Sequence, residues 1–71
     1  MSSTSEELAQ LFAAQQRDGA IHGRLLAQWT RELEAVDLAA ADRTEQLVYA
    51  VLGRIRARSA RIARIAEGVA A

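Results

Sequence analysis

The residues best suited to chemistry are few, and two of them lie close together in the sequence. Asp18 and His22 are four residues apart, so a helix places them on one face, one turn from each other. An aspartate in that position orients an imidazole for proton transfer, or joins it as a second metal ligand. No nucleophile completes a triad, and the Glu-x-x-His spacing of di-iron helical bundles does not occur. We therefore predict a structural histidine, no catalytic residue, no metal site and no other cofactor.

Three further polar residues, Gln15, Arg58 and Ser59, interrupt otherwise apolar helical stripes. If the chain folds into a hairpin, Arg58 comes level with His22 and near Asp18. A buried arginine is costly unless an anion and further acceptors meet it. The sequence thus predicts a polar layer of Gln15, Asp18, His22, Arg58 and Ser59, which would fix the register and the number of chains. An active site for an anionic substrate around Asp18, His22 and Arg58 is an alternative.

The basic residues are nine arginines without a lysine, and they balance nine acidic residues. Residues 1–37 hold three arginines and six acidic residues, whereas residues 38–71 hold six and three. A basic face of Arg54, Arg56, Arg61 and Arg64 is predicted on the second half of the chain. The zero net charge argues against nucleic acid as a ligand, since domains that bind it are usually basic overall. An anion- or nucleic-acid-binding adaptor that uses this face is a second alternative function.

The elements that position these residues are helices. Alanine, leucine, glutamate, glutamine and arginine dominate, proline is absent, and apolar residues recur at helical spacing. We predict a long antiparallel helical hairpin with helices over about 5–36 and 42–68. The apolar positions expected to form the core and the interface are Leu8, Leu11, Phe12, Leu25, Leu26, Trp29, Leu33, Val48, Val51, Leu52, Ile55, Ile62 and Ile65.

The middle of the first helix and the position of the chain reversal depend on local sequence signals. Asp18-Gly19 is a turn signal, so a three-helix bundle with a break at 18–19 is possible. We favour one helix because the heptad phase continues unbroken across that dipeptide. Asp42 and Glu45 resemble a capping box, which places the reversal within residues 37–42 and the start of the second helix at Asp42. Residues 1–4 are expected to be disordered and 5–71 to form a single domain.

The size of the chain points to self-association. Its 71 residues cannot build a large core, and without cysteine neither disulfides nor thiolate metal sites can stabilise it. We therefore expect a four-helix bundle or coiled-coil oligomer, with a dimer as the simplest form. The N-terminus has no signal-peptide pattern and no apolar run is long enough to span a membrane, so we expect a cytoplasmic protein. The leading hypothesis is a non-catalytic module that oligomerises and recruits or spaces a partner protein.

Overall fold

The protein is an antiparallel hairpin of two long helices, as the sequence predicts. The computed structural model describes residues 3–70, with α1 spanning Ser3–Glu34 and α2 spanning Leu38–Ala70. The predicted bounds were about 5–36 and 42–68. Helix α1 begins and ends two residues earlier than predicted, whereas α2 begins four residues earlier and ends two residues later. Ser3 and Thr4 belong to α1, so the prediction of disorder is wrong for them. The predictions of a disordered N-terminus and of a single domain also covered Met1, Ser2 and Ala71, which lie outside the described residues.

Helix α1 passes through Asp18-Gly19 without a break. The alternative of a three-helix bundle bent at this dipeptide is therefore wrong. Gly19 has helical backbone angles, and no described glycine has a positive φ. The continuous heptad phase outweighs the local turn preference of the dipeptide, because contacts along the whole of α2 hold α1 straight.

The reversal is a tight turn at residues 35–37. Val36 has a φ of 58°, which is the left-handed conformation. Its amide donates to the Leu33 carbonyl at 3.0 Å, and the Asp37 amide donates to the Glu32 carbonyl at 2.9 Å. These two bonds form the Schellman motif that closes many helices, although glycine usually occupies the left-handed position.

The N-cap of α2 is Asp37, and the prediction that α2 starts at Asp42 is wrong. The Asp37 carboxylate accepts a hydrogen bond from the Ala40 amide at 3.2 Å, and its carbonyl accepts one from the Ala41 amide. Asp42 lies within the second turn of α2. The run Leu38 to Ala41 consists of strong helix formers, so it joins the helix once an aspartate before it supplies the cap.

The earlier reversal changes the register between the helices. Asp18 lies level with Arg54, and Gln28 with Thr44, since each pair is hydrogen-bonded. The prediction that Arg58 lies level with His22 is therefore wrong. Relative to that prediction α2 is displaced along α1 by about two helical turns, which is one heptad. A shift by a heptad preserves which faces meet, so the predicted apolar stripe of α2 still packs on α1.

The hairpin is a thin rod with little interior. It measures 52 × 16 × 13 Å and has a radius of gyration of 16.1 Å, against about 11 Å for a globular chain of this length. Among the described residues the buried apolar side chains are those of Ala41, Val48 and Val51. Neither helix contains, within the described range, an apolar stretch that could cross a membrane. The larger apolar side chains that are half-buried within residues 3–69 are those of Leu8, Leu11, Ile21, Leu25, Trp29, Leu52, Ile55, Ile62 and Ile65.

Candidate functional site

The centre of the hairpin holds an ion-paired network around one buried carboxylate, Asp18. Arg54 Nη2 donates to Asp18 Oδ1 at 3.1 Å, and its Nε approaches Oδ2 at 3.5 Å. Arg58 Nη1 donates to Asp18 Oδ2 at 2.8 Å. Two cations from α2 thus share one anion from α1, and both carboxylate oxygens are used.

Gln15 extends this network to the other side of the hairpin. Its Oε1 accepts from Arg58 Nη1 at 2.8 Å. Its Nε2 donates to Ser59 Oγ at 2.9 Å and to the Ile55 carbonyl at 3.1 Å. Four of the five residues of the predicted polar layer are therefore brought together, and Arg54, which we assigned to the basic face, joins them. The heptad shift explains the addition of Arg54, because it moves this residue level with Asp18.

The arginines determine the charge state of Asp18. Hydrogen bonds from Arg54 and then from Arg58 lower the pKa of the Asp18 carboxyl below its usual value of 3.8, and burial opposes this shift more weakly. The carboxylate form is thus the one that the folded hairpin stabilises. Arg58 is the more enclosed of the two cations, with 18% of its side chain exposed against 53% for Arg54.

His22 does not join the network. It lies one turn beyond Asp18 on α1, is half-buried, and its side chain makes no hydrogen bond or ion pair within residues 3–70. Asp18 accepts its hydrogen bonds from Arg54 and Arg58 and none from His22, so it does not orient the imidazole. Within the same residues, no three His, Asp or Glu side chains gather in a way that could hold a metal ion.

A smaller polar cluster lies near the turn, and sequence reasoning missed it. Gln28 Nε2 donates to Glu32 Oε2 at 3.2 Å and to Thr44 Oγ1 at 3.3 Å. Thr44 is buried, and the second oxygen of Glu32 is buried without a hydrogen-bond partner. The sequence does show a glutamine and a threonine within the apolar stripes of the two helices. Gln28 and Thr44 lie level only in the observed register, however, so the predicted register did not pair them.

Two of the contacts between the helices show that the hairpin has two unlike sides. The Gln15–Ser59 hydrogen bond joins the line Leu8–Gln15–His22–Trp29 on α1 to the line Leu38–Glu45–Leu52–Ser59 on α2, in each of which residues recur every seven positions. The Glu7–Arg61 ion pair joins the helices on the opposite side. The side marked by Gln15 is apolar at both ends. We call it the apolar face, and define it by Leu8, Phe12, Leu26, Trp29, Leu33, Leu38, Tyr49 and Leu52.

Much of the apolar face is open to solvent in the single chain. Phe12, Leu26 and Leu33, which follow one line along α1, are exposed, and so are Leu38 and Tyr49 on α2. These large side chains lie along one strip of a 71-residue protein, with Gln15, Gly19 and His22 between Phe12 and the others. Exposed apolar strips of this kind mark contact surfaces in proteins.

The opposite side carries the arginine face, which we define by Arg17, Arg24, Arg31, Arg54 and Arg61. Arg54 and Arg61 follow one line of α2, together with Leu47, and the other three follow one line of α1. An open groove of about 320 Å³ lies here, and its lining residues are Leu11, Arg54, Ala57, Arg58 and Arg61. Three arginines supply positive charge to the groove, and Leu11 and Ala57 supply its apolar surface.

The predicted basic face is thus only partly one surface. Arg54 and Arg61 lie on the arginine face, and Arg64 lies one turn beyond Arg61 on its outer edge. Arg56 lies in line with Tyr49, beside the apolar face, because these two residues are seven positions apart. The first helix contributes three arginines that the prediction left out, since only the fold places the two helical lines side by side.

Comparison of the chain with protein-family models, with curated proteins and with solved structures finds no significant match.

Proposed function

We propose that this chain is a cytoplasmic, non-catalytic assembly module that pairs with a second copy of itself through the apolar face. The pair would be a four-helix bundle, which leaves the arginine faces outside for a partner protein. The observation that carries this proposal is the exposed apolar strip on both helices, beside an interior of only three buried apolar side chains among those described.

The exposed surface area of the hairpin supports pairing with a second copy. The hairpin exposes 5079 Å², whereas a compact protein of its mass exposes about 4,300 Å². One 52 × 16 Å side of the rod has an area close to the roughly 800 Å² that each partner buries in a standard interface. The area that a second hairpin would cover is therefore about equal to the area by which the hairpin exceeds a compact protein of its mass.

A matched pair of leucine substitutions tests this proposal. Leu33 on the apolar face and Leu47 on the arginine face are similarly exposed, at 48% and 53%. We expect Leu33→Glu to raise the dimer dissociation constant by about 100-fold, because two leucines leave the interface and two carboxylates enter it. Leu47→Glu should leave the constant within a factor of about three. Sedimentation equilibrium over a concentration series measures both.

A parent chain that stays monomeric and fully helical at micromolar concentration contradicts the proposal. Equal effects of the two substitutions would also contradict it, since they would show that association does not use one side.

The arginine face supports a second candidate function, the binding of an anionic partner. Of its five arginines, Arg17, Arg24 and Arg31 make no ion pair within residues 3–70, although they lie on a chain with zero net charge. Titration with an acidic peptide, a DNA duplex and anionic vesicles at two salt concentrations tests this candidate. Binding that weakens with salt and is lost in the double variant Arg24→Glu with Arg31→Glu supports it, and unchanged binding by that variant contradicts it.

A further inference from the structure

We infer that the second copy binds antiparallel, with α1 against α1 and the turns at opposite ends, around a two-fold axis level with Gly19. This inference rests on the proposed function and specifies its interface. A two-fold interface is self-complementary: if residue i contacts residue j of the partner, then residue j contacts residue i of the partner. The order of residues along the apolar face satisfies this condition.

The central part of the apolar face of α1 reads almost the same in both directions from Gly19, whereas Leu33 has Ser5 as its counterpart. Phe12 and Leu26 lie seven residues before and after it, and Leu8 and Trp29 lie at about equal distances further out. In the antiparallel arrangement Phe12 therefore faces the partner's Leu26, and Leu8 faces the partner's Trp29. If the turns lay at the same end, α1 would face α2 of the partner, and Leu26 would meet acidic side chains.

The centre of the face is suited to a close crossing of two helices. Gly19 is exposed, and a Cβ atom added there would meet no other atom within 4 Å in the hairpin. A glycine inside a helix costs roughly 1 kcal/mol relative to alanine, and no contact within the described residues requires one here or at the other helical glycines, Gly23, Gly53 and Gly68. A partner helix crossing here would use the space that the missing side chain leaves.

The antiparallel arrangement also supplies a partner for His22. Gln15 and His22 lie three to four residues on either side of Gly19, so each imidazole would face the partner's Gln15. The polar layer of each hairpin would then be completed across the two-fold axis. On α2, Tyr49 and Arg56 lie at similar distances from the level of the axis, and the ring of Tyr49 would meet the partner's Arg56, a favourable contact of a cation with an aromatic ring.

The charge distribution separates the two orientations as well. Five acidic residues cluster around the turn, which we call the acidic tip: Glu32, Glu34, Asp37, Asp42 and Glu45. With the turns at the same end, two acidic tips would lie side by side and repel each other. With the turns at opposite ends, the two acidic tips lie a hairpin length apart, and each is level with the basic half of the partner's α2.

Cysteine cross-linking tests the orientation, since the chain has no cysteine of its own. A mixture of Phe12→Cys and Leu26→Cys chains should form the mixed disulfide at least about tenfold faster than either chain alone links to itself. The two copies of residue 12 would lie about 20 Å apart along the bundle, which is too far for a disulfide. Leu47→Cys, on the arginine face, is the control. It should not form a disulfide with the Phe12→Cys chain or with the Leu26→Cys chain.

A spin-label measurement checks the same point without altering the interface. Ala39 is exposed near the turn. Labels on Ala39→Cys should lie about 40 Å apart in the antiparallel dimer, and less than about 20 Å apart if the turns share one end. A short distance, or a disulfide between Phe12→Cys and Ala63→Cys chains in place of the mixed one, overturns the orientation and leaves the dimer intact. A parent chain that sediments as a monomer overturns the proposed function itself.

Discussion

At the scale of single residues, Asp18 links the stability of the protein to pH. Its folded-state pKa is lowered because Arg54 and Arg58 donate hydrogen bonds to the carboxylate. A group whose pKa is lower in the folded state adds stability above its unfolded pKa. That contribution is lost as the pH falls through the folded-state value.

We therefore expect Asp18→Asn to lower the thermal midpoint at neutral pH, and the difference from the parent chain to be constant down to about pH 5. The difference should shrink below about pH 4, where the Asp18 carboxyl of the unfolded chain begins to take up a proton, and it should be lost as the pH falls through the lower folded-state pKa. Circular dichroism melts at fixed protein concentration measure this difference. The control is Glu67→Gln, which changes an exposed carboxylate that makes no ion pair within residues 3–70. A difference that is independent of pH down to pH 2 would contradict the linkage.

Val36 is the second residue with a specific energetic role. Its left-handed φ of 58° forces a β-branched side chain into a conformation that costs such residues about 1–2 kcal/mol. We expect Val36→Gly to stabilise the protein by about 1 kcal/mol, because glycine adopts this conformation without the steric penalty. Val69 is similarly exposed, at 68% against 73%, but lies within α2.

Val69→Gly is therefore the matched control and should be neutral or destabilising. Urea midpoints of the three chains at one concentration decide between the outcomes. A loss of stability in Val36→Gly would show that the valine side chain contributes more through contacts than its conformation costs.

At the scale of the helices, the sequence predicts the faces well and the register poorly. Periodicity identifies the apolar stripes, and it correctly outweighs the turn signal at Asp18-Gly19. The register depends on which residue ends α1, and Val36 carries no sign of a left-handed conformation in its own chemistry. Asp42 offers a better capping pattern than Asp37, so local signals favour the wrong start of α2. Because the error is one heptad, the network around Asp18 is predicted in most of its members but with His22 in place of Arg54.

Arg58 distinguishes the observed register from one displaced by a heptad. A register displaced by one heptad would keep apolar faces together, but would place Ile65 where Arg58 meets Asp18 and Gln15. The network thus disfavours the slipped register more than the apolar stripes do.

We expect Arg58→Leu to remain helical but to lose its single assembly state, and to give a mixture of species by native mass spectrometry. The substitution removes the one side chain that joins Asp18 to Gln15 while leaving an apolar residue in its place. Arg43→Leu serves as the control, because Arg43 is exposed and makes no ion pair within the described part of the chain. One assembly state, the same as that of the parent chain, would show that the network does not select the register.

At the scale of the whole molecule, the two unlike sides determine the shape of any assembly. Pairing through the apolar face stacks two rods along their length, whereas contact between an acidic tip and an arginine face would lengthen the particle. We expect a dimer with a maximum dimension by small-angle X-ray scattering close to the 52 Å of one hairpin, plus about 10 Å for side chains and hydration. A dimension near twice that length would show that the copies join end to end.

The short connection at residues 35–37 also bears on what happens when the hairpin opens. If Val36 turned to an ordinary helical conformation, α1 and α2 would join into a single straight helix, and the steric penalty at this residue would disappear. Two opened chains could then each lend α2 to the other and recreate every contact of the hairpin between molecules. Short connections under strain are where such exchange between identical chains begins. Concentrated or acid-treated samples should therefore hold interlocked pairs that separate only as slowly as the protein unfolds, and Val36→Gly should suppress them.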